Sequence, residues 1–242
     1  MSIDRKNVSE MFTSIAPTYD RLNHILSFGR DRAWRRRATR ILKHSLQNNS
    51  VNDRICTLAD FATGTGDFAI QLARSVSNSH IYALDFSEGM LAVCREKVEK
   101  KQLTERISIQ QENCQNTSLQ PESVYGVTCA FGIRNFQDPA AGLREMLRIL
   151  KPGYPALILE FARPHKGLLA GIVKWYYAKG IPFLGKIISG NRGAYAYLPA
   201  TIYEFPCGDE FCSMMSQAGF ERVGFKSLNF NLVNLYWGYK CC

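Results

Sequence analysis

Metal-ligand spacings, export signals and repeats are all missing from this chain of 242 residues. Its eight cysteines, at 56, 94, 114, 129, 207, 212, 241 and 242, include no C-x-x-C pair, and none has a histidine at zinc-ligand spacing. No metal site is expected, and the reduced thiols of a cytosolic protein fit the pattern better than a disulfide framework. Cys241 and Cys242 follow a strand pattern and are assigned no role. Residues 1–20 carry acids and no continuous apolar stretch, so no signal segment is read there and the expected location is cytoplasmic. Repeats and low-complexity tracts are absent too, which excludes a solenoid or a linker-rich chain.

What is present is a composition 46% hydrophobic, enough for one well-buried core. Positive charge is in excess, net +9, and it clusters at Arg30, Arg32, Arg35, Arg36, Arg37, Arg40 and Lys43. Such a run suits anionic lipid or nucleic acid, or is simply a solvated helix face. It lacks the interleaved aromatics of a recognised nucleic-acid-binding pattern, so no nucleic-acid partner is expected.

Val8, Met11, Phe12 and Ile15 repeat at helical spacing, and a second helix pattern runs from Asp31 toward Leu46. Short apolar runs then alternate with amphipathic segments: Ile55–Ala62, Ile81–Asp85, Ile107–Gln111, Val124–Ala130 and Ala156–Phe161. That rhythm predicts an α/β fold, a parallel sheet with helices on both faces. A helix is predicted over 138–151, stopped by Lys-Pro-Gly, another near 208–218, and two last strands near 220–228 and 231–239. One domain over 1–242 is expected, with a helical cap (1–50), a cofactor-binding core (51–165), a lid or insertion (166–205) and a closing helix and strand pair (206–242).

The segment Asp60-Phe-Ala-Thr-Gly64-Thr65-Gly66-Asp67 is a strand entering a glycine turn and then a helix, the place where open α/β sheets bind ligands. With Asp85 at the end of the next strand it satisfies a dinucleotide pattern, as in an NAD-dependent oxidoreductase. Asp67 argues otherwise, because a carboxylate in the first helical turn repels a pyrophosphate placed at the helix's positive end. S-adenosylmethionine brings an ammonium and a sulfonium, which carboxylates such as Asp60 and Asp67 favour, while Asp85 can hold ribose hydroxyls. Asp67 as a plain helix cap leaves the cofactor open.

These residues resemble the S-adenosylmethionine-dependent methyltransferases, whose glycine loop has the form D-x-A-x-G-T-G-D. The resemblance implies a class I, Rossmann-like fold with a seven-stranded, mostly parallel sheet whose last strand is antiparallel. It also implies adenine contacts at Asn113 and Cys114. Further blocks, from Met11-Phe through Tyr19-Asp20-x-x-Asn23 to Gly29, Trp34-Arg35, Phe131-Gly-Ile-Arg134-Asn135, Glu160-Phe161 and Gly238-Tyr-Lys, are similar to the ubiquinone/menaquinone biosynthesis C-methyltransferase family. Membership implies methylation of a ring carbon of a prenylated quinol, a demethylmenaquinol or, in ubiquinone synthesis, a methoxy-benzoquinol. Tyr154 stands where the family commonly has glycine, and Ala130 where some members offer a serine to the cofactor.

A quinol becomes far more nucleophilic as its phenolate, and free phenols titrate near pH ~10, so the site must favour the anion. Arg134, after the fourth strand, is expected to stabilise the quinolate and Asn135 to orient the ring. Tyr19, Asp20 and His24, on the helices expected to roof the site, are candidate proton acceptors.

Residues 167–190 are apolar, yet nine Leu, Ile, Val and Phe at about −0.5 kcal/mol each do not outweigh Lys174 and Lys179 at about 2.5–3.5 each. A transmembrane helix is not expected; an interfacial helix or a packed lid is. Together with the arginine run, this predicts weak, salt-sensitive peripheral contact with an anionic membrane on the cytoplasmic face.

Overall fold

The computed structural model describes residues 5–48, 55–163, 171, 175, 179–180, 201–229 and 231–242. Two helices come first, α1 (Arg5–Leu26) and α2 (Asp31–Asn48). In α2 the 3.6-residue period sorts the side chains: Trp34, Ala38, Leu42 and Leu46 are buried on one side, and Arg32, Arg36, Arg40 and Lys43 are exposed on the other. Arg35 belongs to the buried side, so the basic run is not one uniform surface.

The remaining elements are β1 (Cys56–Phe61), α3 (Asp67–Ser75), β2 (Ser79–Asp85), α4 (Glu88–Lys100), β3 (Ile107–Gln111), β4 (Val127–Ala130), α5 (Pro139–Ile149), β5 (Pro155–Phe161), α6 (Asp209–Gln217), β6 (Glu221–Leu228) and β7 (Val233–Tyr239). The strands form one seven-stranded sheet in the order β3-β2-β1-β4-β5-β7-β6. Strands β1 to β5 pair in parallel, and β7 is antiparallel to both β5 and β6. The parallel sheet is as the strand rhythm predicts, and its antiparallel last strand is as the methyltransferase resemblance implies. Parallel strands covered on both faces must be apolar almost throughout, and β5, Pro-Ala-Leu-Ile-Leu-Glu-Phe, is buried at every position but its last.

Boundaries differ where chemistry intervenes. Asp138 caps α5, accepting the Ala140 N–H at 2.9 Å with Pro139 in the first helical position, so the helix starts one residue later than expected. Strand β4 begins at Val127 rather than Val124, because Val124 bridges only to Leu150, the residue that ends α5.

Strand order reverses between β1, which runs on to β2 and β3, and β4, which runs on to β5. The loops after β1 and β4 therefore flank a crevice at the carboxyl edge of the sheet. They approach so closely that a Cβ on Gly132 would lie 2.3 Å from the Ala62 Cβ. Only glycine fits there.

Candidate functional site

Strand β1 leads into Ala62-Thr63-Gly64-Thr65-Gly66 before α3 starts at Asp67. Gly66 has φ 82°, and a Cβ on it would meet the Cys94 Sγ of α4 at 2.3 Å. The loop is fixed from beneath by two carboxylates. Asp60 is buried and accepts the hydroxyls of Thr63 and Thr128, both at 2.6 Å. Burial pushes its carboxyl up to about 6, against the opposing pull of those hydroxyls and of Arg35. Asp85 accepts the Gly64 N–H on one oxygen and the Ser87 N–H on the other, each at 2.8 Å, and burial raises it too. A carboxylate offers about four acceptor positions, so Asp85 retains capacity for ligand hydroxyls.

Helix α1 roofs this loop. The Thr13 and Ser87 hydroxyls are 3.1 Å apart, and Gly89 leaves room for Thr13 against α4. Lys97 of α4 donates to Asp20 at 2.6 Å, to Asp67 at 2.5 Å and to the Thr65 hydroxyl at 3.2 Å, while Thr65 donates to Asp20. Arg35 bridges Asp31 at 2.9 Å and Asp67 at 3.5 Å. Asp67 is thus already matched by two cations and is not the free carboxylate the sequence suggests. Four carboxylates, Asp20, Asp31, Asp60 and Asp67, share two cations, Lys97 and Arg35, which leaves negative charge in surplus.

The loop after β4 is strained: Phe131 has φ 61°, unusual for a bulky side chain. Its ring packs against Trp34 and Phe161, at 6.0 and 4.8 Å between centroids. A single turn, Ile133–Asn135, follows. Within it Arg134 donates to the Glu160 Oε1 at 2.7 Å and to the Phe131 carbonyl at 2.6 Å, and lies over the Phe161 ring. Arg134 is expected to face a quinol oxygen; in the structure it pairs with a protein carboxylate, and its Nε is buried with no partner among the described residues. Parallel pairing of β4 with β5 brings Glu160 to the same edge, and both side chains are buried.

These walls line an open cleft. Gly64, Asp85, Asn113 and Cys114 line one side; Phe12 and Tyr19 lie on the roof; Phe131, Asn135 and Phe136 line the far side. A smaller chamber adjoins it and shares Tyr19, Gly64 and Phe131; Asp20, Arg35, Asp60, Thr65 and Asp67 line it. Among the described residues, no Lys or Arg lines the larger chamber, so a pyrophosphate would meet Asp85 and Glu112 there and no cation.

The structure therefore gathers most of the residues singled out in the sequence and displaces three. Arg134 stands behind the wall that Phe131 and Asn135 form. Gly66 lies outside both linings and acts through loop shape. His24, half exposed, sits 3.1 Å from Asp31 and lines neither chamber, so it is not placed to take a proton there. Tyr19 lines the chamber, but burial raises its phenol, which stays protonated at neutral pH and is no ready base. Cys114, its thiol pushed well up by burial, accepts the Ala62 N–H at 3.4 Å and buttresses the loop. Lys97 and Phe136 escape sequence reasoning, and Phe12 is read there only as part of a helix pattern and a family block. Arg35 had a signal: it shares the apolar stripe of α2 rather than the charged one.

The family model described as the ubiE/COQ5 methyltransferase family matches residues 1–240. A Bacteroides fragilis protein named demethylmenaquinone methyltransferase is 42% identical over 97% of this chain and 93% of its own. A Geobacter sulfurreducens protein named ubiquinone/menaquinone biosynthesis C-methyltransferase UbiE is 40% identical over 97% and 89%. In fold, the chain is similar to Haemonchus contortus phosphoethanolamine N-methyltransferase 2 in complex with S-adenosyl-L-methionine, with TM-score 0.60, 15% identity, and 84% of this chain and 53% of that one covered. It is also similar to a putative S-adenosylmethionine-dependent methyltransferase of Methanococcus maripaludis, with TM-score 0.56, 19% identity, and 98% and 92% covered.

Proposed function

Because the chain belongs to the ubiE/COQ5 methyltransferase family, we propose that it methylates a ring carbon of a prenylated quinol, converting demethylmenaquinol to menaquinol with S-adenosylmethionine as donor. The observation that carries this reading is the divided cleft: a chamber with surplus negative charge beside a larger one with aromatic walls, which no Lys or Arg among the described residues lines. The donor has two positive groups and one carboxylate, a net charge opposite to the surplus. Asp60 and the Gly64–Asp67 loop take its amino-acid end, Asp85 the ribose hydroxyls, and Asn113 and Cys114 flank the adenine. When bound, the donor supplies an electrophilic methyl carbon.

The chain's own residues do the rest. Phe12, Phe131 and Phe136 exclude water, which strengthens every polar contact to the reacting ring. Asn135 orients a ring oxygen, and the Tyr19 hydroxyl hydrogen-bonds it as a neutral group. Arg134 is a positioning residue: by holding the Phe131 carbonyl and Glu160 it fixes the turn that carries Asn135. Asp20 serves as the clamp that Lys97 uses to hold the roof. In the transfer a C–C bond forms as a C–S bond breaks, and one proton is released overall.

On this reading residues 1–242 are one methyltransferase domain with α1 and α2 as its cap. A prenylated substrate resides in a bilayer, so peripheral contact with an anionic membrane on the cytoplasmic side belongs to the proposal. No helix among the described residues is long and apolar enough to cross a membrane. The apolar segment 167–190 lies outside the described residues except at 171, 175 and 179–180.

Labelled methyl transfer to demethylmenaquinol and to a demethylated benzoquinol under reducing conditions, with oxidised quinones as controls, tests the reaction. Label is expected in the naphthoquinol. Preference for the benzoquinol would move the acceptor to ubiquinone synthesis, and transfer to oxidised quinones alone would overturn the phenolate chemistry. Calorimetric binding of NADH in place of S-adenosylhomocysteine would replace the whole reading by an oxidoreductase.

A further inference from the structure

Between Arg21 and Asn48 the sequence contains a single acid, Asp31, and the fold buries it against Ser27 and Arg35. Apart from Arg35, every Arg and Lys of this stretch is exposed. Arg32, Arg36, Arg40 and Lys43 lie within one side of α2, opposite Trp34, Ala38 and Leu42, and no carboxylate of the helix interrupts them. At the head of this stripe Phe28 is 69% exposed with φ 52°, and Ile25 beside it is 39% exposed. A bulky residue seldom adopts that backbone region, and here the turn it belongs to, closed by the Gly29 N–H on the His24 carbonyl at 2.7 Å, sets the aromatic outside the core.

The corner stands at the rim of the cleft. Trp34, one turn into α2, packs on Phe131 of the chamber wall and donates to Asn229 between β6 and β7 at 3.0 Å.

We propose that the α1–α2 corner and the outer side of α2 form a docking surface for a bilayer rich in anionic phospholipid, Phe28 entering the interface and the stripe pairing with headgroups. The proposal rests on the prenylated-quinol reading and adds where the membrane sits. Charge complementarity favours this partner, since an acid-free cationic stripe headed by an exposed aromatic has the composition of an interfacial anchor.

Co-sedimentation of the full chain with phosphatidylglycerol-containing and pure phosphatidylcholine vesicles at low salt tests it. Wild type is expected on the anionic vesicles only, and to be released as salt rises. R32Q/R36Q/K43Q should lower the partition about a hundredfold, at roughly fivefold per charge. Phe28→Asn, which keeps a residue tolerant of left-handed φ, should lower it about tenfold. Both variants should retain wild-type melting and wild-type methyl transfer to a short-tailed, water-soluble quinol. Variants that sediment like wild type, or equal binding to neutral vesicles, would overturn the proposal. So would an RNA oligomer retained through the same three cations by a protein that ignores vesicles. Vesicle binding by a protein that methylates no quinol would leave the surface standing and remove the reaction instead.

Discussion

The two walls of the cleft keep charge in opposite ways. On the cofactor side Lys97, Asp20, Asp67, Thr65 and Arg35 share contacts, and the three members of the Lys97 bridges are 19%, 38% and 37% exposed. On the acceptor side the Arg134–Glu160 pair, 5% and 1% exposed, is the ion pair that ties the turn after β4 to β5, beside the packing of the Phe131 ring. A partly solvated network loses one member and rehydrates the others, whereas an enclosed pair has no such recourse. The cofactor wall should therefore degrade gradually under mutation and the acceptor wall abruptly.

The largest effect tests the abrupt wall. Glu160→Leu strands a buried guanidinium and should remove about 3–5 kcal/mol in urea unfolding. Replacing Arg134 by leucine as well should restore most of that stability and leave cofactor affinity intact, while quinol turnover stays at least about tenfold down. Wild-type turnover in the double variant would remove the positioning role of Arg134. Next is Asp85→Ala, which takes away charged acceptors for the ribose and should weaken cofactor binding by about a hundredfold in calorimetry.

A smaller effect comes from pH. Burial lifts Asp60 from the ordinary 3.8 to about 6, so as pH falls the folded carboxyl takes up its proton before the unfolded one. This group's contribution to stability is therefore fully present below the unfolded value and is lost as pH rises through about 6. Binding of a cationic donor runs the other way, because it needs the carboxylate. Affinity should fall below pH about 6 by up to roughly tenfold per unit, and Asp60→Asn should flatten the profile. Smallest is Lys97→Met: a stability loss of about 1 kcal/mol, a few-fold weaker cofactor binding and faster amide exchange in α1. An effect as large as that of Glu160→Leu would erase the contrast between the walls.

The sheet was legible because each strand is a short apolar run, and the cofactor loop because glycine and aspartate at fixed spacing admit few backbone paths. The acceptor wall was half legible. Phe131-Gly-Ile-Arg-Asn marks the turn, but the partner of Arg134 lies 26 residues away on β5, and only the pairing of β4 with β5 brings them together. Glu160 reads as an intrusion in an apolar strand until that pairing is known. Lys97 is hidden among Arg95, Lys100 and Lys101 on a helix whose charged face looks solvated. It is set apart only by sharing a face with Cys94, which touches Gly66. A one-dimensional pattern carries periodicity, not the identity of a partner on another element.

The bridge from Lys97 to Asp20 also sets an order of assembly. Asp20 emerges from the ribosome 77 residues before Lys97, so α1 is made with nothing to dock on until the second βα unit has formed beneath it. The roof can close on the cofactor loop only once α4 is made, before the far wall at Phe131–Phe136 and its Glu160 partner have emerged, and pulse-labelled exchange on refolding chains should show α1 protected after β1 and β2. A nascent chain would hold an open binding floor before it holds a lid.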